Sequence, residues 1–305
     1  NYFLDYHYES EEQPHTATRI GPFRCTYDKN GNITSRINRY PPSSYRYYEW
    51  DEENRLASID DDEQVHHYRY DLDNNRVIKN EGAGQYIYID GEIVNTGTDY
   101  GQITIYVSSQ LVITSGGYTK HYYIEGQRLG TRLGSSTVGG WSSWVDWGTW
   151  QALDKWADDS RWDEWTEHPR EWYPGNDGPP TDYERAQYFH HTDHLGSASY
   201  VTNDRGEVHE HIEYLPFGEV FVDQGATDVA GGTRIDPNYW RFTGKELDKL
   251  TGLYYFGARY YDPMFSRWLS VDPLAEKYPG WSPYNYTLNN PIKFIDPEGR
   301  EPEEI

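Results

Sequence analysis

Three histidines and an acid crowd one short stretch of this 305-residue chain: His190, His191 and His194 surround Asp193. Such dense imidazole and carboxylate donors invite a metal reading. The same residues serve ordinary turns and strands, with Asp bonding to turn amides. That second reading is preferred, and no metal is assigned. His209 and His211 alternate and would share one face of a strand. The glycines of GQRLGTRLGSSTVGG lack the Lys-Ser/Thr end of a phosphate loop and a preceding βα unit, so no nucleotide or other cofactor is assigned. Cys25 is the only cysteine, so no intrachain disulfide can form. It stands just before Tyr27–Asp28 with no His nearby in sequence, and reads as a buried thiol rather than a nucleophile. Asn32–Ile33–Thr34 and Asn285–Tyr286–Thr287 are formal glycosylation sequons.

The elements that must carry these residues follow from composition and repetition. Net charge is −23, which argues against DNA or RNA as a direct partner, since phosphate binding needs a basic surface. No run of apolar residues is long enough to span a membrane. The opening NYFLDYHYES has neither the basic head nor the apolar stretch of a signal peptide, and the missing initiator Met suggests a fragment or a processed chain. The hydrophobic fraction is low at 36%, yet aromatics reach 17% and Tyr alone numbers 30. Disordered chains are poor in aromatics. Rings with polar edges suit strands.

One pattern recurs as YDKNGNI, WDEENRL and YDLDNNRV: an aromatic residue, Asp, two variable residues, then Gly or Asn. The aspartates Asp28, Asp51 and Asp71 are spaced 23 and 20 residues apart. The aromatic residue should end a strand, and Asp should bond to turn amides. Gly31, Asn54 and Asn74 should take the positive φ that these types tolerate best. A two-stranded unit cannot bury its own face, so the units must join a larger sheet. Further hairpins are expected around Asp90–Gly91, Gly126 and Asp204 to Gly206. Most of residues 1–135 and 185–260 should be short antiparallel strands. Residues 136–184 differ, with eight of the twelve tryptophans. They read as an insertion, helical over Trp150 to Glu167, that packs its rings on the strand scaffold or binds a partner or glycan.

The most specific text lies at the end, from Arg241 to Gly299. GLYYFGARYYDP with RWLSVDP closely resembles the RHS-repeat-associated core. HTDHLGSASYVTNDRGEVHEHIEYLPFGE is similar to the same core, and the aromatic–Asp repeats resemble its upstream YD-repeat scaffold. The resemblance implies an all-β fold in which YD-repeat strands spiral into part of a hollow shell. It implies a C-terminal core that folds inward as a plug, and no metal role for HTDHLGS. The expected organisation is a shell segment over 1–135, the Trp-rich insertion over 136–184, the core and plug over 185–299, and a tail over 300–305. Such shells commonly enclose a C-terminal toxin, and in several relatives the core is a self-cleaving aspartyl protease.

Carried over to this chain, that activity would use Arg259, Asp272 thirteen residues later, and Asp296 in Asp296–Pro297–Glu298–Gly299. Two close carboxylates would share a proton, one activating water while the other stays protonated. Arg259 would orient the pair. Family cleavage follows an apolar residue after that Gly, where this chain has Arg300. A site shaped for an apolar side chain would bury a guanidinium poorly, so a non-cleaving plug is expected. The implied partners are a toxin or cargo polypeptide, upstream RHS repeats and secretion or delivery machinery, in a secreted or cell-surface setting. The competing reading is an extracellular cell-contact or adhesion scaffold without cargo.

Overall fold

The computed structural model describes residues 4–61, 64–83, 86–89, 92–95, 102–114, 117–124, 127–135, 186–225 and 239–305. Sixteen strands form one antiparallel sheet. They begin with β1 (Tyr6–His7), β2 (Arg19–Ile20), β3 (Phe23–Tyr27), β4 (Ile33–Asn38), β5 (Ser44–Trp50), β6 (Leu56–Asp61), β7 (Gln64–Tyr70) and β8 (Arg76–Ala83). The hairpin β9 (Tyr86–Ile89) and β10 (Glu92–Asn95) stands apart from this sheet. The sheet resumes with β11 (Gln102–Ser108), β12 (Leu111–Thr114), β13 (Gly117–Ile124), β14 (Gln127–Ser135), β15 (Ala186–Thr192), β16 (Ala198–Asn203), β17 (Val208–Tyr214) and β18 (Val220–Gly225). β14 pairs with β15, so the sheet continues on both sides of the Trp-rich stretch. That stretch, with its predicted helix, lies outside the described residues.

The repeat turns form as their residue types dictate. Asp28 Oδ1 accepts from the Asn30 and Asn32 amides at 2.9 and 2.8 Å. Asp51 and Asp71 do the same two and four residues on. Gly31, Asn54 and Asn74 have φ of 84°, 62° and 66°. Each second carboxylate oxygen is taken locally, by the Asn32, Arg55 or Asn75 side chain. The aromatic before each Asp ties one unit to the last: Trp50 Nε1 donates to Ile33 O at 2.7 Å and Tyr70 Oη to Leu56 O at 2.8 Å. Asn54 Oδ1 accepts from both Asn30 and Asn32, and Asn74 Oδ1 from Arg55.

From residue 239 on, the described chain holds a small separate sheet of β19 (Glu246–Asp248), β20 (Leu253–Tyr255), β21 (Tyr260–Asp262) and β22 (Arg267–Trp268). Left-handed glycines at 244, 252 and 257 keep these strands short. The small sheet is buried on both faces. Leu253, Tyr260 and Leu269 pack with Ile33, Tyr48, Leu56, Ile59 and Tyr68 of β4–β7. Tyr254, Tyr261 and Trp268 pack with Phe242, Phe256 and Tyr286, against Tyr214 and Phe217. Alternation along β20 and β21 produces this division. The first repeat turn is also bonded to the end of the chain: Tyr284 Oη donates to Gly31 O at 2.6 Å, and a Cβ on Gly31 would come within 2.6 Å of that oxygen. Asn fits the later turns but not this one.

Buried charges complete the attachment. Arg76 of β8 pairs with Glu246 at 2.6 Å and Asp248 at 3.0 Å. Lys79 reaches Glu81, Glu246 and Asp248 at 2.9–3.0 Å. All five side chains are under 10% exposed. Arg36 pairs with Asp262, and Arg241 with Glu210 and Asp223. Removing one partner of a buried pair strands the other. Arg76→Met should therefore lower unfolding free energy by about 3–5 kcal/mol. Arg55→Met, in a solvent-facing turn, should cost about 1 kcal/mol or less. Urea unfolding of the two variants checks this contrast.

Among the described residues, His66, His121 and His190 are buried with no carboxylate in contact. Burial, reinforced by Arg128 at the last two, lowers their pKa to about 4, 2 and 3. The unfolded chain protonates them first as pH drops through about 6.5, so stability is lost from there downward. Each should cost roughly 2 kcal/mol between pH 6.5 and pH 5. Glu246, held down to about 2 by Arg76 and Lys79 against burial, adds a loss only below the ordinary carboxylate range. Glu81, Asp60 and Asp296, raised by burial, oppose the trend as pH falls from their raised values to the ordinary carboxylate range. Denaturation midpoints at pH 7 and 5 should differ clearly, and His121→Gln with His190→Gln should flatten that slope.

Candidate active site

Arg259 closes the turn between β20 and β21, where the Phe256 amide donates to Arg259 O at 3.1 Å. Its guanidinium lies over the Trp268 ring, 4.1 Å from the centroid. Asp272 follows β22, with its amide on Pro283 O and its Oδ1 accepting from the Leu274 amide at 2.7 Å. Asp296 follows β23 (Phe294–Ile295). A single nitrogen, Arg259 Nη2, donates to Asp272 Oδ2 at 2.8 Å and Asp296 Oδ2 at 3.4 Å. The three residues named from the sequence therefore meet. The carboxylates are no further apart than those two bonds laid end to end.

Asp296 is built like a repeat aspartate. Its Oδ1 accepts from the Glu298 and Arg300 amides at 3.3 and 2.9 Å, and Gly299 between them has φ 73°. A Cβ on Gly299 would sit 3.1 Å from Arg259 N and Phe256 Cβ, so only Gly suits this approach. The difference from the repeats lies in the second oxygen, which is given to Arg259 instead of the residue four places on. Three consecutive carbonyls of the turn are also held. Lys245 Nζ donates to Pro297 O at 2.6 Å, the Ala258 amide to Glu298 O at 2.9 Å, and Arg259 Nε to Gly299 O at 2.6 Å.

Burial raises the Asp296 pKa, while Arg259 and the turn amides pull it back. Burial lowers that of Arg259. Asp296 is 3% exposed and Asp272 14%, so the pair has a buried, proton-favouring member and a more open one. That asymmetry suits a general acid beside a general base. A cleft of about 20 Å³ opens among Arg259, Asp272, Asp296, Thr287 and Pro302. The chain beyond Arg300 passes this cleft, since Pro302 lines it. The Lys277 ammonium and Tyr278 hydroxyl then take the Glu301 carboxylate. β24 (Glu303–Glu304) pairs with β23, so the tail is held as a strand. Arg300 is exposed. Its guanidinium is therefore not buried in this cleft.

The other sequence candidates do not converge. His190 bonds to Thr131, His191 to Thr202, and His194 to Ile292 O. Asp193 forms a turn with the Leu195 and Ser197 amides. No group of three metal-ligating side chains occurs among the described residues. His209 packs on Tyr188, and His211 stacks on Tyr200. Cys25 is buried, which pushes its thiol up to about 11. Sequence reasoning missed Lys245 and the cluster around Lys79. The signal was present in GKELD, whose Lys245, Glu246 and Asp248 are all buried or bonded.

Comparison with known proteins agrees with this architecture. Residues 180–294 match the family described as Teneurin YD-shell. Salivary gland surface protein 1 of Aedes aegypti is 39% identical over 108 residues, 35% of this chain and 3% of that protein. Toxin subunit YenC2 of Yersinia entomophaga is 42% identical over 92 residues, 30% of this chain and 9% of the subunit. The crystal structure of TcdB2-TccC3 aligns with 91% of this chain and 13% of that one, with a TM-score of 0.54 and 17% identity, which is a likeness of fold. The chain thus spans only a small part of each. These matches support an RHS/YD-shell protein.

Arg259→Met should leave two carboxylates facing each other without their shared cation, at a cost of about 3–5 kcal/mol at pH 7. Protonating Asp296 relieves that repulsion. The deficit relative to wild type should therefore shrink by pH 5, as read from denaturation of both chains at each pH.

Proposed function

We propose that this RHS/YD-shell chain is a piece of a β-shell that encloses a polypeptide cargo, and that residues 239–299 form the core closing one end of it. A shell-forming role in toxin complexes is what the matches support. The observation that carries it is the small sheet β19–β22, which is covered on one face by β4–β7 and on the other by the β17 end of the same large sheet. A sheet that touches both faces of one segment must curve around it. Its inner surface there is an apolar layer of Ile33, Tyr48, Leu56, Ile59 and Tyr68, with Arg36, Arg76 and Lys79 paired to the enclosed segment. The ends of the sheet, at β1 and β18, are where upstream repeats or further wall would pair. Two relatives are named as toxin subunits, and a secreted setting in toxin delivery, with delivery machinery as a further partner, belongs to the same proposal.

A second activity is favoured by the Arg259, Asp272 and Asp296 constellation: hydrolysis of the chain's own Arg300–Glu301 bond. The turn before that bond is clamped at three carbonyls, and the residue after Glu301 lines the carboxylate cleft.

Intact mass of the mature protein, expressed from its full natural gene beside an Asp296→Asn version, tests this activity. A break after Arg300 in wild type, absent in the variant, is expected. An uncut chain in both leaves a passive closing core. Enclosure is tested on the same full-length material, where an added broad-specificity protease should spare any polypeptide that the full gene encodes after residue 305. Rapid loss of that polypeptide while the shell persists argues against a cargo inside.

A further inference from the structure

The backbone over Thr287–Asn289 is unusual. Thr287, Leu288 and Asn289 have φ of 46°, 51° and 56°, all in the left-handed region. Asn tolerates that region, whereas β-branched Thr is strained there. Strain of this kind persists where surrounding structure imposes it, and it clusters at functional sites. Thr287 is 3% exposed, and its Oγ1 has no hydrogen-bond partner among the described residues. Two residues earlier, Asn285 Nδ2 donates to Ser282 O at 2.5 Å, which fixes the amide and leaves its buried Oδ1 likewise without a partner among the described residues. Buried groups of this sort normally find protein or water.

Both residues line the same cleft as Asp272 and Asp296, and its free volume is about 20 Å³. One water needs about 10–15 Å³ and two to four polar partners. The cleft therefore fits one water and offers four groups to hold it.

We propose that Thr287 and Asn285 are positioning residues that seat a single water molecule beside Asp272 and Asp296. This rests on the self-cleavage reading of that site for its purpose, though not for its existence. The water accepts a hydrogen bond from the Thr287 hydroxyl and donates to Asn285 Oδ1 and to a carboxylate. Held this way, it has one proton directed at a base. Asp272, the more open carboxylate, takes that proton as the water oxygen bonds to the Arg300 carbonyl carbon. Protonated Asp296 supports the carbonyl oxygen. The C–N bond then breaks, and the proton on Asp272 passes to the Glu301 nitrogen. The products are a carboxyl group on Arg300 and an amine on Glu301, with one water consumed. Arg259 stays charged throughout and keeps the two carboxyl groups in place.

Two measurements test the proposal. The first is a high-resolution crystal structure of the chain and of Thr287→Val. An ordered water within hydrogen-bond distance of Thr287 Oγ1 and a carboxylate oxygen of Asp272 or Asp296 is expected, lost in the valine variant. A cleft closed by a side chain, or a water equally ordered in Thr287→Val, overturns the seat. The second places Thr287→Val and Thr287→Ser on an Arg300→Leu chain and follows cleavage of these and the parent by mass. Thr287→Val should slow the cut about tenfold or more, Thr287→Ser should restore it, and the melting temperatures of the three should agree. Equal rates overturn the positioning role. A seated water with no cut in any chain sinks the self-cleavage reading and the positioning role, and leaves the seat as a hydration site.

Discussion

Buried charge is the constraint on which this structure depends. An ionised group taken from water must find its partner, and at this size of penalty it does so or the fold fails. Here the partners lie on different parts of the chain. Arg36, Arg76 and Lys79 belong to the large sheet, whereas Asp262, Glu246 and Asp248 belong to the core segment. Arg241, just before β19, reaches back to Glu210 of β17 and Asp223 of β18. Apolar contact alone would let a ring-rich sheet slide along a ring-rich wall. Ion pairs at both ends of the wall do not, since a shift of one residue would leave several charges stranded. The pairs thus set the register of the core, and the aromatic layers supply the burial.

The second organising device is a single turn used repeatedly. An Asp or Asn accepts from the amides two and four residues on, while a Gly or Asn three residues on turns left-handed. It appears at Asp28, Asp51, Asp71, Asp193, Asn203 and Asp296. In the repeats it joins strands, and its aromatic neighbour links one turn to the next. At Asp296 the same geometry carries a carboxylate oxygen across to Arg259. A structural part and a chemical one differ here by the destination of one oxygen.

Much of this was legible in the sequence because it is local. The spacing of Asp28, Asp51 and Asp71, with Gly31, Asn54 and Asn74 after them, fixes turn geometry within five residues. The family-like text around Arg259, Asp272 and Asp296 pointed to three groups that the fold does bring together. What stayed hidden depends on partners far apart in the chain. Nothing near Lys79 indicates that it will meet Glu246 and Asp248 some 170 residues later. The exposure of Arg300 was also hidden. Its residue type suggests a poor fit to an apolar site, yet whether the side chain enters that site is a matter of tertiary path. The short antiparallel strands expected through residue 260 do form, but that the last of them leave the large sheet was hidden for a related reason. Tyr-rich text reads as strand, but left-handed glycines cut it into short pieces that can be buried on both faces.

The Asp296 turn shows how these layers combine. In the repeats, a side chain four residues on satisfies the second carboxylate oxygen and stabilises the turn at no distance cost. Arg300 stands at that position and does not serve it, so the turn gives up a local bond. Lys245, Ala258 and Arg259 offset the loss by gripping the three carbonyls that follow. These grips come from the residue just before β19 and from the β20–β21 turn, beside the strand that the buried ion pairs seat in the wall. A carboxylate released from local duty is useful only if its surroundings hold still. The wall, the ion pairs and the clamp together supply that rigidity, so the geometry of the carboxylate pair depends on the seated core.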